Sequence, residues 1–368
     1  MLDSQNILRK INNNNQLQLS LYFPSPFNYS FSATSRLSII LSNEENFEWF
    51  YTNFWQLMFN KKLLDNPNKD SHALEIFPLN IYLSGKTTTG IFLSETTLNS
   101  NIIDLNYNNV IDKHIEWLKN EYYIFSHIEA TKLKGCKYYN PDIHRVHTVF
   151  IIGYNLKNET FKILDFDSRG NFLLRDISFQ NYLDAFFSKY VPQLLQKKAY
   201  GPNYNVVLCK PKETLNKCTL DLNHIIIEIT DFINSYPTDY RYNNFIQTTN
   251  ANWGMDVYSS LKQYVALCYE FKTCLQFTSF HALYEYINWI VFKMSFIYSR
   301  YQLMMSDNLK SDINNIVDYV TQLRQLAFKQ SLVPKLTNVT QLQNLIDKIQ
   351  ILHIKIFKNI LYTFMSVS

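Results

Sequence analysis

Paired cysteines, glycine-rich motifs and long apolar runs are missing from this chain of 368 residues. Its five cysteines, at positions 136, 209, 218, 268 and 274, never form a C-x-x-C pair, which argues against a disulfide framework and a zinc site. No G-x-G-x-x-G sequence occurs, so the dinucleotide-binding fingerprint is excluded. The longest apolar stretch, 286–298, contains Lys293 and is too short to span a membrane. We therefore expect reduced thiols, no bound cofactor or metal, and no membrane association.

The chain also has no marked excess of basic residues. The net charge is +4, acidic and basic residues are interspersed, and no basic stripe with interleaved aromatic residues is present. A nucleic-acid partner is therefore not expected. Residues 1–20 are rich in Asn, Gln and Ser and contain no apolar segment followed by a cleavage site, which predicts a cytoplasmic protein.

The composition, 46% apolar and 18% charged, is typical of a globular protein, and the length suits two domains. Residues 1–212 mix short β-like runs with amphipathic helices and predict an α+β domain. Residues 213–368 are nearly free of glycine and predict an all-α helical bundle. The helical periods of this second domain cover 222–235, 256–273, 279–302, 312–329 and 339–364.

A β-hairpin is the organising feature of the first domain. Runs of β-branched and aromatic residues at 148–152 and 160–164 flank turn-forming residues at 153–158. His147 precedes the first strand and Asp165 ends the second, so antiparallel pairing can bring the two side chains together. An aspartate that accepts the Nδ1 proton of a histidine leaves Nε2 as a general base.

The residues around this hairpin resemble a known family. In order they are Tyr138 and Tyr139, His144 and His147, the segment Ile152-Gly153-Tyr154-Asn155, and further along the segment Trp253-Gly254-Met255-Asp256-Val257-Tyr258. This order is similar to the N-terminal domain of the butirosin biosynthesis protein H family, which has a papain-like, C39-peptidase-like fold. The resemblance implies a papain-like domain followed by a helical one. It also implies that an acyl group on the phosphopantetheine arm of an acyl or peptidyl carrier protein is transferred to an amine in peptide antibiotic biosynthesis.

The resemblance also implies a nucleophilic cysteine at the N-terminus of the first helix, which we predict at 34–41. No cysteine occurs before Cys136, and Ala33 lies one turn before Leu37 on the predicted buried face, where the nucleophile is expected. His147 would be the base and Asp165 its orienting partner. Asn28 lies where such folds often place an oxyanion donor, although a loop asparagine is an equal interpretation.

Three explanations for Ala33 stay open. In the first, alanine has replaced a native cysteine. In the second, a neighbouring hydroxyl acts as the nucleophile, and in the third the chain is a naturally inactive relative. The hydroxyl candidates are Ser30, Ser32 and Ser35. Ser32 is equally explained as a helix N-cap. Cys136 could serve only in a rearranged site.

Two neighbouring residues have less favoured roles. Asp167 is the alternative to Asp165, but a turn begins immediately after it. His144 is interpreted as structural. A metal held by His144 and His147 is disfavoured, because residues three apart in an extended segment point to opposite faces.

The sequence thus predicts a papain-like, amide-forming acyltransferase that lacks its usual nucleophile. A thioesterase or peptidase with the same triad is the first alternative. The second is a non-catalytic protein that binds a carrier protein of a synthetase. A homo-oligomer is compatible with all three, because a helical bundle can bury its faces against a second copy.

Overall fold

Strands and helices are both abundant in the computed structural model of the protein, which describes residues 2–28, 30–67, 73–77, 92–99, 104–140, 142–167, 172–197, 204–212, 219–238, 250–333 and 338–366. The strands are Ile7–Leu8 (β1), Ile11–Asn13 (β2), Gln16–Gln18 (β3), Leu21–Tyr22 (β4), Gln56–Asn60 (β5), Leu74–Phe77 (β6), Leu93–Asn99 (β7), Tyr123–Glu129 (β8), Val146–Asn155 (β9), Thr160–Phe166 (β10), Phe172–Ser178 (β11), Tyr204–Pro211 (β12) and Ala251–Trp253 (β13). The α-helices are Phe31–Ile40 (α1), Phe47–Thr52 (α2), Lys62–Asp65 (α3), Val110–Lys119 (α4), Phe179–Phe186 (α5), Tyr190–Lys197 (α6), Leu222–Ile233 (α7), Asp256–Glu270 (α8), Phe277–Arg300 (α9), Asp307–Ser331 (α10) and Val339–Met365 (α11). The chain is therefore a mixed α/β protein.

Two compact units are interleaved along the chain. The sheet unit contains residues 2–44 and 88–216, and the helical unit contains residues 45–87 and 217–368. The predicted boundary between 212 and 213 lies near the last of these transitions. The predicted first domain also included 45–87, which belong to the helical unit because β5 pairs with β13.

The sheet unit is built on one antiparallel sheet with the strand order β11-β10-β9-β8-β12-β7. The predicted hairpin is confirmed, because β9 and β10 are antiparallel neighbours. On its opposite edge β9 pairs with β8 over 146–151 and with β3 over 153–155, and β3 approaches Gly153 closely. A Cβ atom at this position would lie 2.2 Å from the carbonyl oxygen of Leu17, so only glycine fits there.

The first helix of the sheet unit, α1, begins three residues before its predicted start at 34. Ser30 has an extended backbone and precedes the first helical residue, and its carbonyl accepts the Thr34 N–H at 2.9 Å. Ser30, rather than Ser32, is therefore the N-cap residue. Its hydroxyl makes no capping hydrogen bond.

The helical unit follows the predicted helices closely. α7 to α11 begin and end within five residues of the five predicted segments. Side-chain caps define some of these starts: Asp221 accepts the His224 N–H at 3.0 Å, and Ser306 accepts the Leu309 N–H at 3.2 Å. No helix in the described ranges is both long enough and apolar enough to cross a membrane.

One lysine lies entirely inside the helical unit. Lys293 of α9 is fully buried, and its amino group donates to the carbonyls of Asn53 and Phe54. The same group lies 4.8 Å from the ring centroid of Phe50, 5.4 Å from that of Phe54 and 5.2 Å from that of Trp55. These contacts join α9 to the segment that follows α2, and they help to explain why residues 45–87 belong to this unit.

Candidate functional site

The first turn of α1 lies beside the predicted base, His147. The Phe31 ring makes an edge contact with the imidazole at a centroid distance of 5.2 Å, and the Tyr138 ring lies 4.8 Å away on another side. Phe31 also contacts Phe166 and Phe172, at 6.3 and 5.8 Å. An aromatic side chain without a nucleophilic atom therefore packs against His147.

The residues proposed as nucleophiles have other environments. Ala33 is 1% exposed in the first turn of α1 and carries no reactive atom. Ser35 is fully buried, and its hydroxyl donates to the Phe31 carbonyl at 2.8 Å, so the helix backbone engages it. Ser30 is the buried N-cap, and the side chain of Ser32 lies outside the described part of the chain. Asn28 is partly buried two residues before the cap.

Asp165 is buried at the end of β10 and bonds to groups other than His147. Its Oδ2 accepts from the Cys136 thiol at 2.8 Å, and its Oδ1 accepts the Phe166 N–H at 2.8 Å. The Arg175 guanidinium lies 3.8 Å from Oδ2. Within the described ranges these groups are the polar partners of the carboxylate, so the predicted bond from His147 is not formed.

Strand register explains this difference from the prediction. Phe161 lies opposite Tyr154, and Ile152 of β9 is then left out of the pairing, so that Ile163 lies opposite Ile151. The β9–β10 pairing ends with Leu164 opposite Phe150, so Asp165 lies beyond the paired part of the hairpin. Past this point the Phe166 carbonyl accepts the Lys137 N–H at 3.0 Å, and Asp167 forms an isolated antiparallel bridge with Cys136.

Cys136 is not an accessible nucleophile. Its side chain is 1% exposed, it donates to Asp165, and the Arg175 guanidinium also contacts the sulfur. Burial raises the pKa of the Cys136 thiol well above its usual value, and the neighbouring Asp165 carboxylate raises it further. Burial also raises the pKa of Asp165, although the thiol bond and Arg175 oppose that shift. A reactive thiolate is therefore disfavoured here.

A pocket of about 730 Å³ lies in the sheet unit, within the size range of small-molecule sites. It lies between the β8–β9 connection and α5. Its lining residues are Tyr107, Glu129, Thr131, Lys132, Lys134, Tyr139, His144, Asn181, Leu183, Asp184 and Phe187.

Glu129 and His144 form a carboxylate–histidine dyad in this pocket. His144 Nδ1 lies 2.5 Å from Glu129 Oε1, and the imidazole stacks on the Tyr190 ring. Glu129 is 1% exposed, whereas the His144 side chain is 39% exposed. Because the carboxylate accepts the Nδ1 proton, Nε2 is the unprotonated nitrogen of the neutral ring. The dyad has the arrangement that the sequence predicted for His147 and Asp165.

Several donors hold the Glu129 carboxylate in its ionised form. The Ser188 hydroxyl donates to Oε2, the Thr131 hydroxyl donates to Oε1 at 3.2 Å, and the Lys132 ammonium lies 3.7 Å from Oε2. Burial alone would raise the pKa of Glu129. The bonds from Ser188 and His144, the charge of Lys132 and the bond from Thr131 together lower it below its usual value. Glu129 is thus an anion that can stabilise a His144 imidazolium.

We expect Glu129→Gln to lower the free energy of unfolding at pH 7 by about 1–3 kcal/mol, because an amide replaces an anionic acceptor of several buried donors. The folded-state pKa of Glu129 is lowered, so this stabilisation is fully present above the unfolded-state pKa of about 4.3. It is lost as the pH falls through the folded-state pKa. Urea unfolding at pH 7 and at pH 3 should therefore show the difference between the two proteins narrowing in acid. The control is Asp184→Asn, which changes an exposed carboxylate at the same pocket. A difference in the free energy of unfolding between wild type and Glu129→Gln that did not depend on pH would contradict the expectation.

Sequence reasoning missed both members of the dyad, since it gave His144 a structural role and did not single out Glu129. The available signal was a carboxylate at the end of the apolar strand β8. The contact itself depends on the register that pairs Glu129 with Val146 and so closes the loop that carries His144. Among the described side chains, no group of three or more His, Cys, Asp or Glu residues is placed to hold a metal ion.

The dyad, the pocket and the aromatic contact at His147 are thus the features of the sheet unit that bear on chemistry. Comparison with models of protein families and with curated proteins finds no match for this chain.

Proposed function

We propose that the chain is an amide-forming acyltransferase of natural-product assembly that uses His144 as its general base. The observation that carries this proposal is the Glu129–His144 dyad in the pocket. The resemblance to the butirosin biosynthesis protein H family suggests the substrates, which are an acyl thioester on the phosphopantetheine arm of a carrier protein and an amine. The antiparallel sheet, with the first turn of a helix against His147, supports the papain-like assignment.

The proposed reaction is a direct transfer without a covalent enzyme intermediate. The amine nitrogen attacks the thioester carbonyl while His144 Nε2 takes a proton from the nitrogen. The Glu129 carboxylate stabilises the imidazolium, and Lys134, which lines the pocket, favours negative charge on the carbonyl oxygen. The C–S bond then breaks, and the departing thiolate takes the proton from the imidazolium.

Direct transfer is consistent with the hydrogen bonding of the Ser188 hydroxyl near the dyad. The Ser188 hydroxyl donates to Glu129 rather than to His144, so it is not activated by the imidazole. At His147 the adjacent side chain from α1 is Phe31, which carries no nucleophile. A base that acts on the incoming amine requires neither group.

The test uses the full chain with S-hexanoyl-N-acetylcysteamine as the acyl donor and 1,4-diaminobutane as the acceptor. Thiol release is followed with a chromogenic thiol reagent, and the products are identified by mass spectrometry. We expect an amide that forms faster than in protein-free buffer. Free hexanoic acid as the sole product would instead assign a thioesterase, and no release above background would remove the transferase proposal.

A second candidate function is binding without turnover, and the Phe31–His147 contact favours it because it leaves the papain-like centre without a nucleophile. In that case the chain would bind a carrier protein of a synthetase. Calorimetry with a phosphopantetheine-loaded carrier protein would detect binding while the thioester assay stays at background. Thioester turnover would contradict this candidate.

A further inference from the structure

Three aromatic side chains stand exposed on the walls of the dyad pocket. Tyr107 is 47% exposed, Tyr139 is 43% exposed and Phe187 is 37% exposed, and all three line the pocket. Exposed apolar side chains that gather in one concave site, rather than being scattered singly, are typical of a ligand or partner site. Their shared location beside His144 therefore points to a ligand with an apolar portion.

Part of this aromatic wall is held in place. The Tyr107 and Phe187 rings contact each other at a centroid distance of 5.8 Å with an angle of 43° between their planes. Gln180 donates to the Tyr107 hydroxyl at 2.6 Å and to the Asp184 carboxylate at 2.8 Å. The Asp184 carbonyl accepts from Lys132 at 3.1 Å. A wall that is already ordered loses little conformational entropy when a ligand binds.

Two preorganised rings favour a flat aromatic ligand over a saturated one of equal size. Aromatic pairs gain attraction from their quadrupoles beyond the area that they bury, by roughly two- to tenfold in affinity for each pair. A saturated ring of similar volume buries a similar apolar area but lacks this contribution. The wall thus distinguishes ligands by aromaticity.

We infer that the acyl group handled by this site is an aryl carbonyl group, whose ring packs against Tyr107, Tyr139 and Phe187 while its carbonyl carbon faces His144. This inference rests on the proposed acyl transfer for the reaction, but its recognition step is measurable without turnover. Lys132 and Lys134 also line the pocket and would contact the polar carrier arm.

The binding test uses unreactive amide analogues of the thioesters. N-(2-acetamidoethyl)benzamide and N-(2-acetamidoethyl)cyclohexanecarboxamide differ only in the aromaticity of the ring. We expect calorimetry with the full chain to show binding of the benzamide that is three- to tenfold tighter. Equal affinities, or no binding of either compound, would overturn the inference.

Substitutions in the pocket test which residues cause the preference for the aromatic ring. Phe187→Leu and Tyr107→Leu keep an apolar wall but remove a ring, and each should reduce the preference by at least twofold. Tyr362→Leu removes a ring that is 82% exposed in the helical unit and should leave the preference unchanged. Circular dichroism checks that each variant is folded. If neither pocket substitution reduced the preference for the benzamide, the aryl group would bind elsewhere and the inference would be overturned.

Turnover separates this inference from the proposed function. The donors are S-benzoyl-, S-cyclohexanecarbonyl- and S-acetyl-N-acetylcysteamine. Amide formation at equal rates from all three would support the transferase and contradict the aryl preference. Preferential binding of the benzamide without turnover of any thioester would support the aryl pocket and contradict the transferase.

Discussion

Replacing His144 by asparagine is expected to lower kcat/KM for amide formation by about 10²–10⁴-fold, the usual contribution of a general base. Asparagine places its amide nitrogen near the position of Nδ1 and can still donate to Glu129, but it has no group at the position of Nε2. The substitution therefore removes the base while it retains a donor to the buried carboxylate. Thiol release and amide yield are measured over a range of thioester concentrations.

Two further histidine variants test whether the loss of activity is specific to His144. His224→Asn is the matched control, because His224 forms a histidine–glutamate pair with Glu228 at 3.2 Å and belongs to the helical unit, whereas the pocket residues belong to the sheet unit. It should retain activity. His147→Asn tests the centre predicted from the sequence. If His147→Asn lost more activity than His144→Asn, the base would be His147 and the proposed mechanism would be wrong.

Truncating Lys293 to alanine is expected to lower the free energy of unfolding by about 3–5 kcal/mol. The change leaves the carbonyls of Asn53 and Phe54 without their buried donor, removes an amino group from its contacts with three aromatic rings and opens a cavity along the lysine stem. Lys293→Met fills most of that volume, so it should lower the free energy by about 1–3 kcal/mol, the effect of the lost polar bonds alone. Guanidinium unfolding measures both variants.

The contribution of Lys293 to stability should change with pH in one direction. Burial lowers the pKa of Lys293 well below its usual value, and the charge of Glu228 only partly opposes this shift. The unfolded chain titrates this lysine near about 10.4, so between the two pKa values it binds more protons than the folded chain. The stability of the wild-type protein relative to Lys293→Met should therefore rise from pH 7 to pH 10.

An exposed lysine provides the control for this measurement. Lys358 of α11 is exposed, and Lys358→Met should change the free energy of unfolding by less than about 0.5 kcal/mol at each pH. A stability difference between wild type and Lys293→Met that stayed constant, or fell with rising pH, would show that the buried amine does not titrate as argued. If Lys293→Ala does not fold, the methionine variant alone carries the test.

Local sequence patterns were sufficient for most elements. The strands β9 and β10 and the helices α7 to α11 were predicted because their periodicities, of two and 3.6 residues, depend on neighbours along the chain. The start of α1 was predicted at 34, whereas the helix begins at Phe31, because Ser30 rather than Ser32 takes the N-cap conformation. That small shift puts Phe31 within contact of His147.

The sequence by itself determined the mixed α/β composition, the hairpin and the long helices of this protein. Only the tertiary structure decided which side chains meet. The β9–β10 register, in which Phe161 lies opposite Tyr154, keeps Asp165 away from the position beside His147, and the β8–β9 register brings Glu129 to His144 across fifteen positions of the chain. Periodicity specifies the face on which a residue lies, but register, bulges and loop closure specify its partner, because these depend on contacts between residues distant in sequence.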